Sequence, residues 1–161
     1  MSEHDHQHCQ QHAMQAAEAI CLARGERLTP TRRRVLEIIW RSHKAIKAYD
    51  ILAELQKEEP GAKPPTAYRA LDFLLGLGLV HRIESLNAFV GCPHPDANHA
   101  FQLLICADCG LVQELALPAL TAELKQAAQA QHFLPLQQIV EVRGRCQQCQ
   151  QKPSFAHKET P

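Results

Sequence analysis

The 161-residue chain contains no apolar run approaching the ~20 residues that span a bilayer, and its His- and Gln-rich start has no hydrophobic segment of the signal-peptide kind. A soluble, cytoplasmic protein without membrane contact is the expectation. Net charge is lacking as well, since 17 Lys and Arg balance 17 Asp and Glu. No nucleophile motif and no phosphate-cradling Gly-rich loop occurs, so the usual sequence grounds for an enzyme or a small-molecule substrate are missing. No segment repeats internally.

The zero net charge hides a segregation. Residues 22–82 hold twelve Lys and Arg against seven Asp and Glu, and the remainder of the chain is acidic in compensation. A basic half beside an acidic half points to nucleic acid at one end, although Arg32, Arg33 and Arg34 also have the reading of a solvated face.

Four of the seven cysteines form two knuckles, Cys106-x-x-Cys109 and Cys146-x-x-Cys149. Each follows a strand-like run, and two thiolate pairs at this spacing fill all four corners of a tetrahedral zinc site. A redox-active Cys-x-x-Cys is the alternative, but such motifs open a helix singly. A filled tetrahedron is a structural site. It leaves no position for a substrate.

Residues 1–12 carry His4, His6, His8, Cys9 and His12 among polar neighbours and read as a disordered tail. Residues 13–91 follow. A helix runs from Ala13 towards Gly25, with Cys21 a core thiol, and Thr29-Pro30 caps and opens a second. A third covers Ala48 to Glu58. Lys63-Pro64-Pro65-Thr66 leads into a fourth, Ala67 to Gly76, and strands Leu79 to Glu84 and Ala88 to Gly91 form a hairpin. Compact helices followed by a hairpin make a winged helix-turn-helix. Residues 92–149 predict strands Phe101–Ile105, Leu111–Leu115 and Gln137–Arg143 with an amphipathic helix from Pro118 to Gln131. The fold class is α+β, with a winged-helix domain followed by a small zinc-clamped α/β domain and a polar tail, 150–161.

Three stretches carry a resemblance: Leu28-Thr29-Pro30-Thr31-Arg32, Lys63-Pro64-Pro65-Thr66-Ala67-Tyr68-Arg69-Ala70-Leu71-Asp72-Phe73-Leu74, and Ile105-Cys106-Ala107-Asp108-Cys109-Gly110-Leu111-Val112-Gln113-Glu114. In this order they resemble the ferric uptake regulator (Fur) family of metal-dependent repressors, and within it the zinc-responsive branch. The resemblance implies a winged-helix DNA-binding domain, a C-terminal homodimerisation domain, palindromic operators of zinc-uptake genes as the double-stranded DNA partner, and Zn2+ as corepressor. Two zinc ions per subunit follow from it, one at Cys106, Cys109, Cys146 and Cys149 and one at a sensing site of His81, Cys92, His99 and Glu114. Tyr49 and Tyr68 match positions that meet DNA.

The four sensing residues form a charge-neutral donor set suited to zinc, and its soft thiolate favours zinc over iron or manganese. Singly, each has a plainer role available: a strand histidine, a buried thiol, a loop residue, a solvated charge. The His/Asp-rich run that iron- and peroxide-sensing relatives carry before the first knuckle is Ala100-Phe101-Gln102-Leu103-Leu104 here. A repressor responding to iron, manganese or nickel is nonetheless an alternative, as is a zinc-ribbon protein-binding module. A hydrolase using Glu114 as base needs an open coordination position. For DNA, Arg69 suits guanine O6 and N7, while Lys63 and Thr66 suit the phosphate backbone. His94 and His132 are expected in loop and core-edge roles.

Overall fold

The computed structural model describes residues 6–95 and 101–152, with side chains from His8 onward. Helix α1 (His6–Ala23) presents Ala13, Ala17 and Cys21 at four-residue spacing, and all three are buried. Cys9 extends the same stripe and packs against the core, while the Gln10 amide donates to Glu37 O at 3.3 Å. Residues 6–12, expected to be disordered, therefore form the first turns of α1. One apolar position in register with Ala13 gives the polar stretch a face to dock.

Helix α2 (Pro30–Ile39) starts as expected, with Thr29 accepting from Arg32 N and Pro30 in the first turn. It buries Val35, Leu36, Ile38 and Ile39. Helix α3 (Ala48–Gln56) buries Ile51, Leu52 and Leu55. Helix α4 begins at Pro64 rather than Ala67 and runs to Gly76, with Lys63 as its N-cap. Both prolines fit the first turn, where their missing N–H groups are not needed.

The three arginines, for which a solvated face was one reading, pair with neighbouring helices at the surface. Arg33 pairs with Glu18 of α1, and Arg34 pairs with Glu37 and with Glu58 beyond α3. The Arg32 guanidinium lies 3.5 Å from the centre of the Phe73 ring on α4.

Strands β2 (Val80–Ile83) and β3 (Ala88–Gly91) form the antiparallel hairpin, and a two-residue β1 (Ile46–Lys47) joins β3 to give the order β1-β3-β2. Two residues show no periodicity, so β1 has no sequence signal. Residues 84–86 leave the strand as a 3-10 turn that closes on Asn87 at φ 47°.

In the second sheet β4 (Gln102–Cys106) is central, antiparallel to β5 (Val112–Leu115) and parallel to β6 (Val140–Gly144). The parallel pairing requires a crossover, and α5 (Pro118–Ala130) supplies it. A short α6 (Gln147–Gln150) holds the second knuckle.

The two sheets share an apolar layer in which Ile83 and Val90 meet Leu103, Ile105 and Val112. Backbone bonds reinforce it: Ala45 N donates to Gly110 O at 3.1 Å and Val112 N to His43 O at 2.9 Å. Helix α5, by contrast, buries none of its residues within the chain.

Candidate metal centres and nucleic-acid interface

The first knuckle forms because β4 ends at Cys106 and Gly110, at φ +74°, takes the left-handed turn that starts β5. Gly110 N donates back to Cys106 O at 3.0 Å. The second knuckle lies after β6, whose parallel pairing sets Gly144 beside Cys106. Arg145 clasps both, donating to Asp108 at 2.6 Å and to Cys149 O at 2.8 Å.

One sulfur from each of Cys106, Cys109, Cys146 and Cys149 lies within 4.8 Å of the others, and Cys109 and Cys146 are 3.7 Å apart. Sulfurs on a zinc tetrahedron with Zn–S ≈ 2.3 Å stand about 3.8 Å apart, close to the Cys109–Cys146 spacing, so the four-sulfur set suits this ion. Backbone N–H donors, Cys146 first, pull the Cys106 thiol down to about 6, whereas hydrogen bonding to the Cys146 side chain and burial push Cys149 up to about 12. Four thiols this close do not all ionise without a cation.

The second group draws on both sheets. His81 stands on β2, Cys92 directly after β3, and Glu114 on β5. Glu114 Oε2 lies 2.8 Å from His81 Nε2 and 3.9 Å from Cys92 Sγ. All three side chains are nearly excluded from solvent, and their donor atoms fall within 4.8 Å of one another. An imidazole, a thiol and a carboxylate at this spacing fit three of the four positions of a zinc site. His99, expected as that ligand, lies outside the described residues.

Several residues that support this group were not anticipated. The Phe101 ring lies 3.7 Å from the His81 ring, centre to centre, and covers one face. Cys92 N donates to Leu79 O at 3.0 Å, fixing the thiol beside β2. A Cβ added at Gly91 would sit 2.3 Å from Trp40 Cε2, so only glycine admits the indole beside Cys92. The glycine beside a candidate ligand was a sequence clue to such close approach. Phe101 gave none. His94 is exposed in the loop after Cys92, and His132, expected at a core edge, is exposed with left-handed backbone after α5.

The expected DNA contacts occupy the start of two helices. Tyr49, 79% exposed, is in the first turn of α3, and Tyr68, 52% exposed, stands beside exposed Arg69 on α4. Lys63 is exposed at the α4 N-cap and Thr66 is half-buried in its first turn. A basic, aromatic helix N-terminus suits phosphate contact.

The sequence profile of the Ferric uptake regulator family matches residues 23–143. The chain is 39% identical over 150 residues to the zinc uptake regulation protein of Escherichia coli (strain K12), covering 92% of this chain and 88% of that one. Among solved structures, a zinc uptake regulator complexed with zinc and DNA superposes with a TM-score of 0.84 at 40% identity, covering 87% of this chain and 94% of that one. Holo XcZur gives 0.79 at 43% identity over 85% and 96%. No helix among the described residues is long and apolar enough to cross a membrane. This chain, with its winged helical half, four-sulfur knuckles and shared His-Cys-Glu group, belongs to the ferric uptake regulator family.

Proposed function

We propose that the protein is a zinc-responsive transcriptional repressor that binds palindromic operators of zinc-uptake genes as a zinc-loaded homodimer in the cytoplasm, and that it is not an enzyme. The observation that carries this reading is the convergence of His81, Cys92 and Glu114 from two different sheets within 4.8 Å. Zinc bound there cross-links the winged half to the second sheet. The thiolate makes the set softer than iron or manganese sites built from oxygen and imidazole alone. Two zinc ions per subunit are expected, the other held at the four cysteines, with His99 as the fourth sensing ligand.

On the DNA side, α4 enters the major groove, Arg69 contacts a guanine edge, Tyr49 and Tyr68 pack on thymine methyls or bond phosphates, and Lys63 and Thr66 hold the backbone. Arg33, Arg34 and Arg41 are paired with acids, whereas Lys44, Lys47, Lys63 and Arg69 make no ion pair among the described residues. Positive charge is thus concentrated near the helix starts that face a duplex. Dimerisation uses the uncovered apolar surface made by Leu124 of α5, Phe133, Leu134, Leu136 and Ile139 of the segment that follows it, and Val142 of β6, all exposed.

Metal binding favours one angle between the halves, so that two recognition helices meet successive major grooves about 34 Å apart. A bias of about 3–4 kcal/mol raises operator affinity several-hundred-fold when the metal-free protein is mostly in other arrangements.

The test is selection of fragmented genomic DNA by the purified protein at buffered free zinc, and again with weakly held zinc chelated. A palindrome recovered with zinc alone is the expected result. Equal recovery in both conditions would make the His81 group structural, and no recovery would favour a protein-binding module.

A further inference from the structure

We propose that Glu141 is a positioning residue that holds the wing against the second sheet independently of metal, and so sets the zinc concentration at which the protein switches. This inference rests on the zinc-dependent operator binding proposed above. Glu141 stands on β6, opposite Leu103 of β4. Its two carboxylate oxygens reach across to the other sheet, Oε1 accepting from Glu84 N at 2.6 Å and Oε2 from Ser85 N at 3.2 Å.

Those two N–H groups open the 3-10 turn after β2, and Ile83, the residue preceding it, provides no side-chain cap. The first N–H groups of a helical turn have no partner within it. A carboxylate from the other half therefore caps this turn, with the added strength of a charged acceptor. The neighbouring Glu84 carboxylate does not leave a bare like charge there, because Arg82 Nε lies 3.5 Å from it.

The position along β2 gives this contact its consequence. His81 on β2 meets Glu114 of the second sheet, and two residues further on Ile83 is fully buried in the layer between the sheets. The turn that follows meets Glu141. One ribbon is thus held by two carboxylates of the second sheet at two separated points. The apolar layer and the Ala45–Gly110 and Val112–His43 backbone bonds already join the halves, and the Glu141 contact adds to them a restraint at the far end of β2, where the hairpin turn begins.

Only one of these attachments belongs to the metal group. Glu141 biases the arrangement whether or not the metal is present, so its loss lowers the population of the binding-competent state in the metal-free protein. Apparent zinc affinity falls in proportion, while the zinc-saturated protein retains the competent arrangement.

The test compares full-length wild type with Glu141→Gln, both carrying four-cysteine zinc, in operator binding across buffered zinc concentrations. It also compares amide hydrogen exchange at Glu84 and Ser85. The variant is expected to require about tenfold more free zinc for half-maximal operator binding, with unchanged affinity at saturating zinc, unchanged dimer mass, and amides exchanging about tenfold faster. An unmoved zinc midpoint in the presence of a zinc-responsive wild type overturns the proposal and spares the function. Unchanged exchange also overturns it, as does reduced operator affinity at saturating zinc, which marks general damage to the wing. A wild type without zinc dependence overturns both, and is recognised because the failure precedes any substitution. Should Glu141→Gln fold poorly, Glu141→Asp, which retains the charge on a shorter arm, replaces it under the same criteria.

Discussion

Cys92 and Cys106 are both buried thiols, and their surroundings predict opposite consequences of removing the sulfur. Cys92 is tied to Leu79 by its backbone and sits at the end of a paired strand, so serine leaves the chain path intact. Cys92→Ser should keep its helical circular dichroism and one zinc per subunit while zinc-dependent operator affinity weakens at least tenfold. An unchanged zinc response in the folded variant would remove Cys92 from sensing. Cys106 instead accepts a hydrogen bond from Cys146 N at 3.3 Å and ends the central strand of its sheet. In small domains structural zinc contributes about 10–16 kcal/mol of apparent binding energy to folding. Cys106→Ser should therefore lose the C-terminal half as a protease-resistant fragment; survival of that fragment without zinc would contradict a structural site. Gly91→Ala tests packing rather than ligation. Its new methyl must displace Trp40, at an expected stability loss of about 1–3 kcal/mol, with a changed tryptophan emission. Unchanged stability and emission would show that the indole can shift freely.

Among the elements, α1 and α4 show how far local signals reach. Thr29-Pro30 announced the start of α2 because a cap and a first-turn proline act within four residues. The start of α1 was obscured because its first turns are polar and only Cys9 continues the buried stripe. At α4 two prolines suggested a rigid entry outside the helix, yet either side of a helix start tolerates proline. Removing residues 1–12 tests the revised α1. Loss of the Gln10–Glu37 bond and of the Cys9 contact should lower stability by about 1 kcal/mol, and Tm by roughly 2–4 °C, with the zinc midpoint unmoved. An unchanged Tm would mean those turns add nothing to the fold.

Across the full chain, the uncovered apolar surface of α5, β6 and the segment joining them is the feature a single copy leaves unresolved. Leu136 is 92% exposed and Phe133 65%, exposures that favour a second copy over solvent. Leu136→Asp combined with Val142→Asp should sediment as a monomer, keep zinc at the four cysteines, and lose operator binding, because one recognition helix alone cannot span two half-sites. A dimer persisting at micromolar concentration would place the interface elsewhere. The α+β class, the start of α2 at Thr29-Pro30 and the pairing of the two cysteine knuckles were legible in the amino-acid order alone. Those features depend on neighbours a few residues apart, where spacing and backbone preference suffice. For His81, Cys92 and Glu114 that order offered candidates through resemblance, each with a plainer role open to it. That the three converge, that Gly91 admits Trp40, and that Glu141 reaches the turn at Glu84 became visible with the packed fold. These meetings require two sheets to pack on one apolar layer, and the register and angle of that packing arise from side-chain shape summed over Ile83, Val90, Leu103, Ile105 and Val112.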